Sequence, residues 1–354
     1  MNLERVDVLV VGLGPAGSSA ATAAARRGLR VVAVDRRHEA GVPVQCAEFV
    51  PAMIGVEVGA LARSIRQPIA SMITFVEDDP PDITNPFPGQ MIDRAAFDAA
   101  LVRDAIAAGA CCRFGASVRA IAAGGRVVLA DGSAIEATAI VGADGPRSLV
   151  GRAIGRVNLA LVETRQITVP LVRAHDATDI FLSASIPGGY GWLFPKDAVA
   201  NLGAGVVPAH RNRLKAIVDD LHAMLIERGR VGVDVLDTTG GAIPVGGMLQ
   251  PRGTLGETEV LLAGDAAGLA NPVTGAGIAA AVYSGGLAGE AAAAIARGSG
   301  DAASDYEDEL RSVLGPSLAR AVQRRRELAG ATARGAGKAE LRRGWIAYPE
   351  YWAA

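Results

Sequence analysis

Apolar and polar positions in the first part of the chain follow a strand–helix–strand pattern. Val6–Val11 is a short β-branched run, which is typical of a strand buried on both faces. An alanine-rich stretch then continues to Arg27 and predicts a helix, which Gly28 is placed to end. Leu29–Val34 is a second apolar run and predicts a second strand. The chain therefore opens with a predicted βαβ unit.

Two later runs have the same buried-strand character, and the region between them has another pattern. Ala137–Val141 and Val260–Ala263 each lead into a glycine and an aspartate. The stretch 157–251 consists of short alternating segments, which are typical of an antiparallel sheet with one lined face. The predicted fold is α/β: a Rossmann-like nucleotide-binding domain with an inserted antiparallel β-sheet substrate domain and a short helical C-terminus. The predicted boundaries are 1–69, 90–156 and 252–300 for the nucleotide-binding domain, 70–89 and 157–251 for the substrate domain, and 301–354 for the C-terminal segment.

Individual elements follow from the same patterns. Ile69–Val76 is predicted as one strand, and Asp78–Pro88 as a turn-rich loop. Arg94–Ala108 has its large apolar residues roughly on one side and predicts an amphipathic helix. A further helix is predicted over about Arg211–Arg228, inside the sheet domain.

Candidate chemistry enters at three glycines directly after the first run. Gly12, Gly14 and Gly17 form G-x-G-x-x-G, which permits a tight turn, a close phosphate and close packing of helix on strand. The N-terminus of the following helix favours a pyrophosphate, and Asp35 is placed to accept hydrogen bonds from a ribose. The alternative is a glycine-rich turn in some other α/β protein. Because strand, helix, second strand and acid occur in order, the sequence favours a dinucleotide site.

Composition excludes several function classes. Of 354 residues, half are apolar and 20% are charged, so an ordered protein with two domains, or one large domain with an insertion, is expected. The formal net charge of −2 gives no reason to expect a nucleic-acid partner. Three cysteines form no disulfide framework and four histidines lack metal-ligand spacing, so a cytoplasmic protein without a metal is expected.

One uncharged interval, between Asp265 and Glu290, is long enough for a membrane span. It also contains Asn271, Pro272 and several glycines, which favour a helix buried against a cofactor. No signal peptide is expected, because the first apolar run leads straight into the glycine motif.

Two further glycine-containing segments, Gly142–Ser148 and Gly264–Ile278, follow the later strands. Together with the opening βαβ unit they resemble the motifs of flavoproteins with the fold of aromatic hydroxylases, and within them the geranylgeranyl reductase family. The resemblance implies FAD as the cofactor, so the nucleotide-binding domain is expected to be an FAD-binding domain. It implies cofactor contacts at Asp144 and Gly145 near the pyrophosphate, at Asp265 on the ribityl chain, and at Gly275, Gly277 and Ile278 near the flavin ring.

The last of these segments also has a physical argument of its own. Reduction of a flavin by two electrons puts negative charge near N1 and the C2 carbonyl. A helix N-terminus aimed there stabilises that charge by about 0.3–1 kcal/mol at a surface and up to about 2 kcal/mol when partly buried. Free N–H groups at Gly277 and Ile278 would supply the contact. The alternative is a turn that leads into an ordinary buried helix.

The narrower resemblance depends on the aromatic segment Pro187–Pro195. Aromatic residues are 4% of the chain, yet three occur here at alternate positions, which places them on one face of a strand. The segment is similar to the Tyr-x-Trp-x-Phe-Pro motif of geranylgeranyl reductases, which is followed there by Gly-x-Gly in the wall of the substrate cavity. The alternative is a strand that faces the core. The resemblance implies substrate contacts at Tyr190, Trp192, Phe194, Pro195, Gly203 and Gly205.

Smaller correspondences with the family add candidate cofactor residues. Cys46 and Ala47 fall where the family has Cys-Gly-Glu near the flavin, and the alanine leaves the local backbone course open. No side chain is an obvious proton donor, so Tyr190 and Cys46 are the candidate catalytic residues. Further correspondences by position are Ala16 in the phosphate loop, Arg36 after the ribose-binding acid, Arg94 at a helix start and Val118 beside the adenine.

The function predicted from this resemblance is reduction of C=C bonds in a geranylgeranyl-type lipid by hydride from reduced FAD. An FAD-dependent monooxygenase acting on an aromatic or lipid substrate is one alternative, and a flavin-binding maturation partner of another enzyme is the other. The electron donor is expected to be NAD(P)H or a ferredoxin. The aromatic tail either docks on the body or contacts a membrane surface, and it contains Trp345, Tyr348, Tyr351 and Trp352.

Overall fold

The computed structural model describes residues 3–51, 59–332 and 337–353 as a mixed α/β structure. The strands are β1 Leu3–Val11, β2 Val31–Val34, β3 Phe49–Pro51, β4 Ile65–Ile69, β5 Ser71–Val76, β6 Asp82–Thr84, β7 Gly89–Ile92, β8 Cys111–Arg113, β9 Val118–Ile121, β10 Val127–Leu129, β11 Ala134–Gly142, β12 Leu161–Pro170, β13 Ala177–Leu182, β14 Gly191–Lys196, β15 Val199–Val206, β16 Asp237–Pro244, β17 Arg252–Leu255 and β18 Thr258–Leu262. The helices are α1 Pro15–Arg26, α2 Gly59–Ala62, α3 Arg94–Ala107, α4 Leu149–Ala153, α5 Leu214–Glu227, α6 Ile278–Ala296, α7 Ala302–Thr332, α8 Lys338–Arg343 and α9 Pro349–Trp352, with 3-10 helices at Pro208–Arg213 and Gly264–Ala267.

The first sheet has eight strands and contains the βαβ unit predicted from the sequence. Its main path runs in the order β17-β18-β11-β1-β2-β8, with β9 and β10 attached beside β11. Strand β1 pairs in parallel with β2 and β11, and β11 pairs in parallel with β18. Val8, Leu9 and Val10 are fully buried, as a strand covered on both faces requires. The runs at 137–141 and 260–263 therefore return to the opening unit.

Helix α6 packs closely on α1 across the glycines of its inner face. A Cβ on Gly285 would lie 2.1 Å from the Ala16 carbonyl oxygen, and one on Gly289 would lie 2.3 Å from that of Ala20. Helix α6 has 19 residues and is the one described helix that is long and apolar enough for a membrane span, but 56% of its apolar window is buried within the protein. It is therefore a core helix of this domain, as the sequence favoured.

The second sheet has seven strands in the order β16-β12-β15-β14-β13-β5-β6. Its pairs are antiparallel except for β13 with β5, so the inserted sheet is antiparallel with one parallel pair. Leu214, Ile217, Val218 and Leu225 of α5 cover one of its faces together with buried residues of β12 and β15. The helix begins at Leu214 rather than at Arg211, because Pro208–Arg213 is 3-10 helix.

The prediction of one strand over Ile69–Val76 was wrong in its extent. The chain breaks at Ala70, so that β4 pairs with β7 in a three-stranded sheet and β5 joins the seven-stranded sheet. Strand β6 lies inside the predicted loop Asp78–Pro88 and pairs with β5. The domain boundaries stay a proposal, supported by the membership of β5, β6 and β12–β16 in one sheet. Residues 52–58, inside the first predicted range, lie outside the described residues.

The C-terminal segment is helical and folds back onto the second sheet. Trp345, Tyr348 and Tyr351 are buried, whereas Trp352 is 51% exposed. The first two join a core cluster with Met72, Trp192 and Phe194. Arg342 and Lys338 form ion pairs with Asp79, near the start of the predicted loop. The docking alternative is thus confirmed for the buried residues of the tail.

Candidate functional site

The loop between β1 and α1 has the geometry that the glycine motif predicts. Gly12 has φ +99°, and a Cβ there would lie 2.3 Å from the Ala143 carbonyl oxygen. A Cβ on Gly17 would lie 1.7 Å from the Gly12 carbonyl oxygen. A Cβ on Gly14, in contrast, would meet no atom within 4 Å. Gly12 and Gly17 are therefore required by packing, and Gly14 faces open space at the N-terminus of α1.

Asp35, predicted to bind a ribose, holds this loop in place. One carboxylate oxygen accepts the Leu13 N–H at 2.7 Å and the other accepts the Arg37 N–H at 2.8 Å. Each oxygen keeps a second lone pair for a ribose hydroxyl. Arg36 is exposed and Val118 is half-buried at the start of β9, so both are accessible to a ligand. The nucleotide contacts of these residues stay predictions.

Asp144, predicted near the pyrophosphate, accepts hydrogen bonds at the start of helix α4, whose N-cap is Ser148. Its carboxylate accepts the Ser148 hydroxyl at 2.5 Å and the Leu149 N–H at 2.6 Å. Burial raises the pKa of Asp144, although these hydrogen bonds act in the opposite direction. Gly145 follows with φ +83°, and a Cβ there would meet no atom within 4 Å. The structure thus gives Asp144 a local structural role and leaves open space at Gly145.

Asp265, predicted to contact the ribityl chain, lies near enough to Arg94 for the two charges to interact. The Asp265 carboxylate accepts no hydrogen bond from the described residues, and burial raises its pKa to about 6, against the field of Arg94. Arg94 begins α3 and donates to the Asp98 carboxylate at 2.7 Å. Burial lowers the pKa of Arg94, but Asp98 and the neighbouring Cys46 sulfur together hold it above its ordinary value. An unpartnered, desolvated carboxyl group is a site for a hydroxyl donor such as a ribityl chain.

We expect Asp265→Asn to remove a pH dependence from the stability of the flavin-free protein. Because the pKa of Asp265 is raised from 3.8 to about 6, the folded chain holds a proton in this window that the unfolded chain has lost. The free energy of unfolding therefore falls as pH rises from about 4 to about 6. Relative to Asp265→Asn, the wild type should lose on the order of 1 kcal/mol across this window, measured by urea titration. Parallel pH profiles of the two proteins would contradict the assignment.

The start of helix α6 has the free donors that the sequence predicted. Among the described residues, the N–H groups of Gly277 and Ile278 have no hydrogen-bond acceptor. The backbone hydrogen bonds of the preceding loop join the Asn271 N–H to the Ala276 carbonyl and the Gly275 N–H to the Asn271 carbonyl. Gly275 has φ +71°, which a glycine adopts without strain. The Asn271 side chain accepts two backbone N–H groups of the same loop, at 2.9 and 3.0 Å. The loop therefore presents a fixed helix N-terminus beside Asp265.

The loop at Cys46 packs against the seven-stranded sheet. The Cys46 sulfur accepts the Glu48 N–H at 3.2 Å, and the Cys46 carbonyl accepts the Gln166 amide at 3.1 Å. The positive φ in this segment belongs to Glu48, at 68°, and Ala47 has negative φ. Alanine in place of the family glycine therefore causes no strain, which answers the question left open by the sequence.

The aromatic residues of β14 and the preceding turn lie on one face, as alternation predicts. Ring centroids are 5.7 Å apart for Tyr190 and Trp192 and 6.4 Å apart for Trp192 and Phe194. Trp192 Nε1 donates to Gln166 Oε1 at 3.1 Å, and its ring lies flat over Gly203, whose Cβ would be 2.4 Å from it. The Tyr190 hydroxyl donates to the Thr274 carbonyl at 2.6 Å, and burial raises its pKa. This set, the aromatic wall, is thus joined to the loop that begins α6.

The other predicted substrate residues are Pro195 and Gly205, which lie in β14 and β15. Pro195 is buried and pairs with Ala200, and a Cβ on Gly205 would lie 2.8 Å from Val162. Gly205 and Tyr190 line an apolar cavity of about 30 Å³, room for about one water molecule. The tail fills the remaining space, since the Trp345 ring lies 4.8 Å from that of Tyr190. In this conformation, the aromatic wall is therefore covered by the chain itself.

Three residues that sequence reasoning did not select connect the site. Glu48 is buried and accepts from the Arg94 N–H, Asn201 and Lys196. Gln166 links Trp192 to Cys46. Arg325 donates to the carbonyls of Gly188 and Pro272, and burial lowers its pKa to about 10. Of these three residues, only Glu48 had a signal in the sequence, as the acid two residues after Cys46. The described residues contain no group that could hold a metal ion.

Two family models match the chain. The geranylgeranyl reductase catalytic domain matches residues 162–242, which include the aromatic wall, and the lycopene cyclase protein matches residues 7–170. A solved relative is a geranylgeranyl bacteriochlorophyll reductase-like protein of Thermoplasma acidophilum, with a TM-score of 0.79, 25% identity and coverage of 99% of this chain and 98% of that one. PqsL of Pseudomonas aeruginosa, a probable FAD-dependent monooxygenase, shares the fold with a TM-score of 0.69, 18% identity and coverage of 96% and 98%.

Sequence similarity over most of the chain is found with archaeal reductases. A digeranylgeranylglycerophospholipid reductase of Methanothrix thermoacetophila is 34% identical over 347 residues, which cover 89% of this chain and 85% of that protein. The alignment therefore extends over most of the length of both proteins. The agreement of the aromatic segment, the fold and this alignment shows that the chain belongs to the geranylgeranyl reductase family.

Proposed function

We propose that this protein is an FAD-dependent oxidoreductase that reduces C=C double bonds of a geranylgeranyl-type lipid. The observation that carries the proposal is the hydrogen bond from Tyr190 to Thr274. It joins the aromatic wall to the loop whose end presents free N–H groups beside Asp265. A substrate against the wall would therefore lie next to a cofactor bound at that loop. The names of the aligned relatives support an isoprenoid phospholipid as the substrate class.

FAD is the cofactor, and the described residues fit it in three places. The open space at Gly14 accepts a pyrophosphate at the N-terminus of α1. The unpartnered carboxyl group of Asp265 accepts hydroxyl donors of the ribityl chain. The free N–H groups of Gly277 and Ile278 would stabilise the negative charge of a reduced flavin bound at this loop. When bound, FAD supplies the two electrons of the reaction as a hydride.

The chain's own residues position the alkene and exclude water. An apolar cavity that buries a prenyl chain gains roughly 0.8 kcal/mol per methylene group, and the aromatic wall supplies such a surface. Because the cavity at the wall is about 30 Å³, Trp345 has to leave the wall when a prenyl chain binds. Arg325 stays at the rim, where its two carbonyl contacts join the Pro187–Pro195 segment to the loop before α6.

Reduction of an alkene also requires a proton, for which Cys46 and Tyr190 are the candidate donors. The Tyr190 proton is already held by the Thr274 carbonyl, and its raised pKa disfavours its loss. Cys46→Ala should therefore lower the single-turnover rate of product formation by about 10²-fold, a typical contribution of a general acid. Tyr190→Phe should mainly raise KM. A larger loss of rate in Tyr190→Phe than in Cys46→Ala would reverse the two roles.

The decisive experiment asks whether the product gains hydrogen or oxygen. The protein is reduced chemically without air and mixed with a digeranylgeranyl glycerophospholipid, and the product is weighed by mass spectrometry. We expect a gain of two hydrogens for each double bond reduced. If no product forms without air, and exposure of the same mixture to air gives a product heavier by one oxygen, the result would support the monooxygenase alternative. Absence of any product under both conditions, with the lipid bound, would favour the maturation partner.

The electron donor and the membrane contact are finer proposals. We propose NAD(P)H or a ferredoxin as the donor, tested by anaerobic bleaching of the flavin with each in turn. A lipid substrate supports peripheral contact with a membrane from a cytoplasmic location, and the exposed Trp352 is a candidate anchor. Flotation with phospholipid vesicles tests this, and equal flotation of Trp352→Ala and wild type would exclude Trp352 as the anchor.

A further inference from the structure

A second and larger cavity lies at the edge of the seven-stranded sheet, and none of the residues predicted to contact FAD is among its described lining. It has a volume of about 900 Å³ and opens between β16, the 3-10 helix Pro208–Arg213 and the loop before Cys46. Its charged lining consists of four basic side chains, Arg147, Arg165, Arg211 and Lys215, and one acidic side chain, Glu163. This cavity, the basic cleft, therefore has an excess of positive charge.

Two of the four basic groups have carboxylate partners and two do not. Arg147 pairs with Glu163 at 2.5 Å, and Lys215 pairs with Asp219 at 2.6 Å. Arg165 Nε is buried and has no hydrogen-bond partner among the described residues. Arg211 forms no ion pair with any described carboxylate. Two guanidinium groups without a carboxylate partner leave the cleft with uncompensated positive charge, so it is complementary to an anion with several acceptor oxygens.

The basic cleft has one lining residue in common with the small apolar cavity at the aromatic wall. Thr164 of β12 lines both cavities. Gly240 and Gly241 of the edge strand leave the cleft open toward the Cys46 loop, where a Cβ on Gly241 would lie 3.8 Å from the Gln45 Cβ. A ligand with an anionic end and an apolar chain can therefore place the two parts in adjoining cavities.

We propose that the basic cleft binds the phosphate group of the lipid substrate, with Arg165 and Arg211 as its main ligands. The proposal rests on the proposed function and assigns residues to its polar end. A phosphate of a dinucleotide donor has the same chemistry. However, the described residues that line the cleft include no aromatic side chain on which an adenine could stack, which favours the lipid.

The test compares two lipids that differ only in the phosphate. Calorimetry in detergent micelles measures Kd for digeranylgeranylglyceryl phosphate and for the corresponding diether alcohol, on the flavin-loaded protein. We expect Arg165→Gln and Arg211→Gln each to weaken phosphate-lipid binding about tenfold or more and to leave the alcohol unchanged. Arg165→Lys should restore part of the loss. Flavin content and melting temperature confirm that each variant is folded.

Arg213→Gln is the matched control, because Arg213 is an exposed residue of the same 3-10 helix but does not line the cleft. It should bind both lipids as the wild type does. Equal weakening of both lipids by Arg165→Gln and Arg211→Gln, or no change, would overturn the proposal. A loss of NAD(P)H-driven flavin reduction with lipid binding intact would assign the cleft to the donor instead.

Failure of this proposal is distinguishable from failure of the proposed function. If the wild type prefers the phosphate lipid through Arg165 and Arg211 but reduces neither lipid, the cleft assignment stands and the reductase function falls. If the wild type reduces both lipids and binds them with equal Kd, the function stands and the cleft assignment falls.

Discussion

Gly14→Val should abolish FAD retention while leaving the fold intact. Gly14 has φ −77° and ψ −170°, an extended conformation that valine adopts readily. A Cβ there meets no atom within 4 Å, so the valine side chain fills only the open space in front of α1. That space is the proposed pyrophosphate position, and close approach of phosphate to backbone is the reason for glycine in this motif. We expect purified Gly14→Val to be colourless, with less than about one hundredth of the wild-type affinity for FAD.

The measurement is the ratio of released flavin to protein, together with the melting temperature of both flavin-free proteins. Equal melting temperatures would show that the loss is one of binding. Gly17 cannot serve in this experiment, because a Cβ there would lie 1.7 Å from the Gly12 carbonyl oxygen and the fold itself would change. Cys111→Ser is the control, since Cys111 is exposed on β8, and it should keep its flavin. Stoichiometric FAD in Gly14→Val would refute the proposed position of the pyrophosphate.

Trp192→Ala should impair substrate binding far more than FAD binding. Its ring is 94% buried between Gly203, Tyr190 and Phe194, so truncation should cost about 3–5 kcal/mol of stability. Trp192 belongs to the seven-stranded sheet, whereas the glycine loop and Asp265 follow strands of the eight-stranded sheet, which is why the flavin content should be kept. Substrate affinity should fall about tenfold or more, because the middle of the aromatic wall is lost. Equal loss of flavin and substrate would mean that Trp192 is a core residue only.

If Trp192→Ala is too unstable to purify, Trp192→Phe should stay folded and replaces it in the experiment. It preserves a ring on the wall and removes the hydrogen bond from Nε1 to Gln166, a change of about 1 kcal/mol. Trp345→Ala gives the opposite comparison, because Trp345 covers the wall from the tail and its Nε1 has no partner among the described residues. We expect Trp345→Ala to keep or improve prenyl-lipid affinity. A loss as large as that of Trp192→Ala would make the tail part of the substrate site.

Prediction from the sequence was most accurate for features that depend on local contacts or on the repeat of a helix or strand. The turn at Gly12, the helix from Pro15 and the buried strand before them are consecutive, so their residue order fixes their geometry. The aromatic wall follows from the two-residue period of a strand, which holds wherever the strand is placed. The free donors at Gly277 and Ile278 follow from the position of a helix start alone.

Residue type and order left other features open, because those depend on how distant segments meet. The strand breaks at Ala70 because β4 pairs in the three-stranded sheet and β5 pairs in the seven-stranded sheet. Asp144 was predicted as a cofactor residue and also accepts hydrogen bonds from Ser148 and Leu149 at the start of α4. Cys46 gains its surroundings from Gln166 and Arg94, which come from different elements of the chain.

Residue order alone was enough to predict the dinucleotide unit, the order of the three cofactor segments and the one-sided aromatic strand. These depend on short-range backbone geometry, which composition and period constrain directly. Three features appear only in the folded chain: the tail covers the aromatic wall, Asp265 accepts no hydrogen bond from a described residue, and two arginines without a described carboxylate partner meet at the basic cleft. Each of these brings together side chains that are far apart in the chain, and packing of whole sheets and helices sets which of them meet.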